Sequence, residues 1–322
     1  VRQILKNPIL KNPHAMVIGV ALVVVTLYPL LPSSYYVRVA ALAFINALAV
    51  LGLNVLMGFA GQVSLGHAGF FGIGAYAVAV GPAHLGLPGW AALPAGVASS
   101  ALIALFVGRP ILRLKGYYLA VATMGMGILF AMVATNETAL TGGPNGMPVP
   151  RLVLFGWRAS GPPTWYWISG VTLVIGVWIA VNLIESPTGR ALRAIHDSET
   201  AAHALGIDAA RYKLLAFVLS AIYASIAGSY WALFDGFVTP ETTSFLRSIE
   251  FVVMAVLGGL GSIPGSIVGA AILVVLPQAL TVFSDYEHIV LGALIIVVLI
   301  FLPAGIVPSL RLPLQTRASR AP

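Results

Sequence analysis

The chain has 322 residues, of which 59% are hydrophobic and only 8% charged. A soluble domain carries about 25% charged residues, so this chain cannot clothe a water-facing surface, and lipid has to cover most of its outside. There is no cysteine, which excludes disulfides and cysteine-held metals, and the net charge of +7 comes mainly from basic residues between apolar runs, a sign of membrane orientation and not of nucleic-acid binding.

Arg2, Lys6 and Lys11 precede an apolar run over 14–31. The charged start resembles a signal peptide, but the run is long enough to span and no small-x-small cleavage site follows, so it reads as a retained first helix. A crossing takes about 20 apolar residues. By that ruler nine further spans follow, over 37–57, 64–80, 90–107, 117–134, 165–184, 214–234, 248–261, 265–283 and 289–307. The third and eighth are short or glycine-rich, as broken or re-entrant helices are. The expected fold class is an all-α polytopic membrane protein of about ten transmembrane helices, forming a single domain over 1–322.

The charges support that count. With a cytoplasmic N-terminus and ten spans, Arg2, Lys6, Lys11, Arg109, Arg113, Lys115, Arg190, Arg193, Arg211, Lys213, Arg311, Arg317 and Arg320 lie inside. Only Arg38, Arg151, Arg158 and Arg247 lie outside. Losing one span would flip everything after it and spoil the asymmetry, so both termini are expected in the cytoplasm.

Four stretches carry polar or glycine-rich chemistry. The run 58–76 includes Gly61, Gln62, Ser64 and His67 among many glycines. Small residues let helices approach closely, and they also permit a bend that turns backbone groups toward a cavity. Asn54, Asn46 and Thr123 are polar positions inside spans, placed either to meet a solute or to bond helix to helix. The outer connection, 135–164, holds the turn formers Thr141, Gly142, Gly143 and Asn145 and ends in Trp157, Trp165 and Trp167, which suit an interfacial belt. It reads as a plain turn, a lid or a docking surface.

The inner connection, 185–213, is the most polar stretch. Pro187 and Gly189 break the preceding span. Leu192 and Ile195 share a helical face, while Arg190, Arg193 and Asp197 offer polar contacts. Asp197 or Ser198 is placed to cap a second short helix through Ala201, Ala202 and Leu205, and Gly206 to end it. Two small helices of this kind fit a partner's groove or lie on lipid. Finally, Glu250 stands beside Arg247 at the outer edge of the eighth span, as a functional group or as half of a structural ion pair.

Absences narrow the function. No acidic residue falls deep in a span, which argues against a carrier driven by protons or sodium through buried carboxylates. There is no hydrolytic constellation and no phosphate-binding loop of the Walker type.

A series of stretches in order then points to a family: Gly61-Gln62-Val63-Ser64-Leu65-Gly66-His67-Ala68, Gly116-Tyr117-Tyr118-Leu119-Ala120 with Ala122-Thr123, Thr141-Gly142-Gly143, the long run Ser186-Pro187-Thr188-Gly189-Arg190-Ala191-Leu192-Arg193-Ala194-Ile195 with Asp197-Ser198-Glu199 and Ala204-Leu205-Gly206-Ile207, Lys213-Leu214-Leu215-Ala216-Phe217, and Gly258-Gly259-Leu260-Gly261-Ser262. The chain resembles the permease subunits of branched-chain amino acid ATP-binding-cassette importers, of the M type, over about residues 40–305. Met124 and Met126 stand where aliphatic residues are expected.

The resemblance implies a multi-pass protein of the bacterial plasma (inner) membrane that is not itself an enzyme. It implies a second homologous permease, two ATPase subunits that hold ATP and Mg, and a periplasmic or extracellular substrate-binding protein; this chain itself holds no cofactor and no metal. It further implies that Ser186, Pro187, Gly189, Arg190, Arg193, Ala194, Asp197, Glu199, Ala202 and Gly206 couple to an ATPase. Asn54, Gly61, Gln62, Ser64, His67, Thr123 and Glu250 would line the pathway, and Thr141, Gly142, Gly143 and Asn145 would meet the binding protein. Relatives carry leucine, isoleucine and valine, or urea, short amides and aromatic acids. A stand-alone channel or facilitator for small solutes is the rival of another class, and it has no need of a structured inner connection.

Overall fold

The computed structural model describes residues 13–279 except 155, together with 292, 296 and 300–309. Most of the predicted last span, the end of the ninth, and Arg2, Lys6, Lys11, Arg311, Arg317 and Arg320 lie outside the described residues. The helices are α1 (Pro13–Leu30), α2 (Ser34–Asn54), α3 (His67–His84), α4 (Gly89–Ile111), α5 (Tyr117–Asn136), the single turn α6 (Thr138–Thr141), α7 (Pro162–Glu185), α8 (Pro187–Asp197), α9 (Glu199–Ala204), α10 (Ala209–Asp235), α11 (Phe245–Gly258) and α12 (Ile263–Ala279). Among the described residues four two-residue strands accompany them: β1 (Met147–Pro148), β2 (Val153–Leu154), β3 (Trp157–Arg158) and β4 (Phe237–Val238). β2 and β3 form a hairpin, and β1 pairs antiparallel with β4, which ties the α5–α7 connection to the α10–α11 connection.

The expectation of an all-α membrane protein holds at this level. Among the described residues five stretches are long and apolar enough to cross a bilayer: Ser34–Phe59, Gly89–Ile111, Tyr117–Asn136, Pro162–Glu185 and Ala209–Asp235. α4 and α5 turn large apolar side chains outward, among them Phe106, Leu129 and Val133. Such faces are liabilities in water and natural against lipid chains. α2 is the opposite case, buried along nearly its whole length from Ala43 to Asn54, and it forms the axis around which α7, α10, α11 and α12 pack.

The closest crossing joins α3 to α10 and is built from small residues. Ser229 Oγ donates to the Gly74 carbonyl at 2.9 Å, and a Cβ at Gly228 would run into the Phe71 carbonyl. In hydrocarbon there is no hydrophobic drive between helices, so close backbone approach and such hydrogen bonds supply the attraction.

Two segments depart from simple crossings. α2 continues as a π-helical turn, Val55–Phe59, and then breaks over 60–66 before α3 begins. The second departure follows Gly236, which ends α10 in the left-handed region at φ 80. The chain then turns back into the bundle. Thr243 lies against Gly72 of α3, and Ser248 Oγ accepts from the Ala68 N–H at 3.0 Å. α3 meets α10 at this level around Gly228, seven residues before the end of α10 and so about 10 Å below it. α11, at 14 residues, is only about 21 Å long and too short to cross about 30 Å of hydrocarbon alone. It folds onto α12 through a tight turn over 259–262. The eighth predicted span thus forms a helix too short to cross alone, and Glu250, read from the sequence as lying at the outer edge, lies on that helix below the Asp235 end of α10 with its side chain half exposed.

Replacing Gly228 by Leu should force α3 and α10 apart and leave little monodisperse protein after detergent extraction, a cost of several kcal/mol at an overpacked site. Gly19→Ala, which meets nothing within 4 Å, should leave recovery and melting temperature near wild type in the same assay.

Candidate functional site

The inner connection folds as a two-helix elbow. Ser186 caps α8 by accepting from the Gly189 N–H at 3.4 Å, and Ser198, not Asp197, caps α9 by accepting from the Ala201 N–H at 3.3 Å. Gly206 takes φ 79 just past α9, as its position after the helix requires. Asp208 then caps α10 through the Arg211 N–H at 3.2 Å. Leu192 and Ile195 point inward as their spacing foretold. Ala202 is also inward, packed with Ile195 and Ala209 in a small cluster that fixes the angle between α8 and α9. Gly189 is buried because a side chain there would strike the Ile184 backbone. These two residues, grouped with the partner-facing set in the sequence reading, instead hold the elbow to the bundle.

The outward face is formed by Arg190, Arg193, Asp197, Thr200, His203 and Leu205, all exposed. Leu205, an apolar tip, is 79% exposed. The two arginines also bind the end of α7: Arg193 Nη2 donates to the Ile184 carbonyl at 2.9 Å and Arg190 Nη1 to the Glu185 carbonyl at 3.2 Å. Cations at a helix C-terminus satisfy its last carbonyls and oppose the negative end of its dipole.

Glu199 is turned toward the bundle. It pairs with Lys213 at 3.0 Å and Lys115 at 3.5 Å, which joins α9 to α10 and to the α4–α5 connection. The Lys213 side chain is only 4% exposed, so the carboxylate is what makes its burial tolerable. Burial pushes the Glu199 carboxyl up, but hydrogen bonds and charge from Lys213 and Lys115 outweigh this and hold it below its ordinary value. From sequence Lys115 and Lys213 read only as inside charges, with Lys213 also heading a family stretch, and their pairing with Glu199 had no local signal.

The elbow leans directly on the break between α2 and α3. A cavity of about 250 Å³ lies between them, bordered by Gln62, Lys115, His196, Asp197 and Glu199. Gly61, at φ 66, has no room for a side chain because His196 Nδ1 would lie 2.8 Å from its Cβ. The break is held by bonds that reach it from several helices. The Gln62 N–H reaches back to the Leu56 carbonyl at 3.1 Å, and Gln62 Nε2 donates to the Ala60 carbonyl at 3.0 Å. Thr123 Oγ1 accepts from the Leu65 N–H at 3.1 Å. His67 is fully enclosed, with Nδ1 2.8 Å from Ser64 Oγ and Nε2 2.5 Å from Ser220 Oγ.

Asn54 fastens this break to the α11–α12 turn. Its Nδ2 lies 2.9 Å from the Ser262 carbonyl and 2.7 Å from Ser266 Oγ, while Oδ1 accepts from the Gly261 N–H at 2.8 Å. It is 1% exposed and its amide is spent on these bonds, so of its two sequence readings the geometry favours the helix-to-helix one. Thr123 and His67 are engaged in the same way. Glu250 pairs with Arg247 at 2.6 Å. At the other end of the bundle, Thr141 Oγ1 donates toward the Ala134 and Glu137 carbonyls and accepts from the Gly143 N–H. Gly142 and Gly143 take positive φ. Thr141 and Gly143 are buried and Asn145 is exposed, so a partner there would meet Asn145 and not the threonine.

A family profile described as the branched-chain amino acid transport system permease component matches residues 35–299, and the chain belongs to that family. It is 34% identical over 93% of its length to the high-affinity branched-chain amino acid transport system permease protein LivM of Salmonella typhimurium, covering 76% of that protein, and likewise to LivM of Escherichia coli. It is 29% identical over 81% of its length to the corresponding permease protein LivH of Salmonella typhimurium, covering 90% of it. No solved structure matches the chain.

Glu199→Gln should loosen the elbow by stranding the buried Lys213 charge, with α9 amides exchanging at least about tenfold faster at neutral pH, equivalent to about 1.4 kcal/mol. Lys115→Gln, which removes an exposed partner, should change exchange little. Because the Glu199 pKa is lowered on folding, its contribution is complete above the unfolded carboxylate value and fades as pH falls through the lower folded one. Elbow protection in wild type should thus hold down to the ordinary carboxylate range and fall below it, and this fall should be absent in Glu199→Gln, as read by hydrogen exchange corrected for intrinsic rates.

Proposed function

We propose that this chain is one of two related permease subunits of an ATP-driven importer for branched-chain amino acids in the bacterial plasma membrane. The observation that carries this reading is the elbow: an exposed two-helix surface on one side, fastened on the other to a helix break inside the bundle. A facilitator has no use for such a part. In an importer it would seat on one of two ATPase subunits, which would supply the ATP and Mg sites. Its displacement on ATP binding would rock the bundle between inward and outward access.

The pairing with a second permease is supported by similarity to both LivM and LivH, each named as a permease protein of such a system. The orientation is supported by charge. Arg109, Arg113, Arg211 and Lys213 line one groove at the elbow end, while Arg38 pairs with Asp235 at the other. That distribution fits ten crossings or re-entrant segments with cytoplasmic termini and an outer face for a substrate-binding protein.

Gentle affinity purification of the tagged chain from its native membranes should bring down a second permease and two ATPases, and the reconstituted complex should accumulate leucine, isoleucine or valine only with ATP and the binding protein. Recovery of the chain alone, with solute flux that ignores ATP, would establish a facilitator instead. Within the complex, Ala194→Pro should leave ATP hydrolysis but abolish uptake, and Arg190→Glu should reduce co-purified ATPase. Normal uptake by Ala194→Pro would remove the coupling role.

A further inference from the structure

The charged pair on α11 stands in an unusual place. Arg247 donates from Nη1 to Glu250 Oε2 at 2.6 Å and from Nη2 to Asn46 Oδ1 of α2 at 2.9 Å. Its guanidinium also lies over the rings of Phe71 at 5.4 Å and Phe251 at 5.0 Å. Both rings are fully buried. One side of the arginine is therefore lodged against the bundle, on α2, α3 and α11 together. This is also the level at which Ser248 bonds the first turn of α3, beside the break of 60–66. That level lies about 10 Å below the Asp235 end of α10, inside the thickness that a membrane-spanning bundle presents to hydrocarbon.

The other side of the pair is open. The Glu250 side chain is 47% exposed and that of Arg247 21%. Among the described residues Arg247 is the sole partner of the carboxylate. A half-exposed carboxylate at such depth cannot face lipid chains at tolerable cost, and ionisable groups there face water-filled cavities. Both a fixed anion and a fixed cation with unused donors are thus presented to one space. An arginine has five N–H donors in a planar fork, of which the two bonds above leave several free.

We infer that Arg247 and Glu250 form a binding station on the translocation pathway for the zwitterionic head of an α-amino acid. Glu250 takes the substrate ammonium and Arg247 its carboxylate, each as a charge-assisted hydrogen bond. The pair satisfies itself when the station is empty, so neither charge is left alone in the membrane. A site reading both charges selects amino acids over urea, amides and carboxylic acids, which lack one charge or both. The side chain of the substrate plays no part in this contact, so the station accepts leucine, isoleucine and valine alike. This inference rests on the importer reading above and names the residues that meet the substrate.

The chain contains no cysteine, which makes a direct test simple. Glu250→Cys is introduced into the whole complex, and this chain is probed with methanethiosulfonate reagents bearing a sulfonate or a quaternary ammonium. The station is expected to label with both water-soluble reagents and to be protected by leucine, less by its deaminated analogue and not by urea. Uptake at subsaturating leucine should fall about tenfold in Glu250→Cys, as loss of one charged hydrogen bond predicts. The sulfonate should restore part of it and the ammonium should not. Glu250→Asp should stay near wild type, with all variants recovered as intact complex. No labelling would place the carboxylate against lipid or the second permease and overturn the inference. Labelling without leucine protection, or without dependence on the charge attached, would overturn it equally. Failure of the wild-type complex to import amino acids would instead defeat the importer reading, so the two failures are distinct.

Discussion

A backbone N–H or C=O in hydrocarbon has no water to turn to, so a helix can be interrupted there only where side chains or other backbone take up what the break releases. This constraint organises the bundle. The breaks at 60–66 and 259–262 lie side by side, and each is closed by bonds from elsewhere in the chain. Asn54 donates to and accepts from the 259–262 turn. Thr123 receives the Leu65 N–H from α5, and Ser248 receives the Ala68 N–H from α11. α2, α3, α5, α11 and α12 are thus joined by a handful of polar atoms at the two ends of α11, while small residues bring α3 and α10 together.

The elbow gains its meaning from that arrangement. α8 and α9 are attached at several points, among them the α7 end through Arg193, α10 and the α4–α5 connection through Glu199, and the first break through the contact of His196 with Gly61. A push on the outer face is passed to a place where the helix is already discontinuous. Packed side chains are bistable more readily than they are compressible, so such joints convert small displacements into changes of state. The same logic explains why a buried lysine is retained at Lys213. Its pairing with Glu199 adds little net stability over an apolar contact, yet it makes separation of the elbow from α10 costly.

Local chemistry was legible in the sequence and long-range partnership was not. The elbow could be read because its signals are short in range: Pro187 and Gly189 ending one helix, Ser198 and Gly206 bounding the next, Leu192 and Ile195 on one face. The break near Gly61 could be read from its glycines. The direction of Ala202 could not, since it depends on Ala209 across a turn. Nor could the role of Asn54, whose partners lie more than 200 residues away. Glu250 was placed too near the surface because a hydropathy count assumes that each apolar run starts at a membrane face. Residues 236–244 instead carry the chain back into the bundle before α11 begins.

The linkage of elbow to break is tested most directly by distance measurement in the working complex. With spin labels on Val63 and Asp197, both exposed or partly so, pulsed electron resonance can report their separation with and without ATP. A second pair, Leu205 and Tyr35, reports the elbow against the far end of α2. A constant Val63–Asp197 distance with a changing Leu205–Tyr35 distance is expected if the elbow and the break move as one piece. Separation of Val63 from Asp197 during a cycle that still imports amino acid would contradict it.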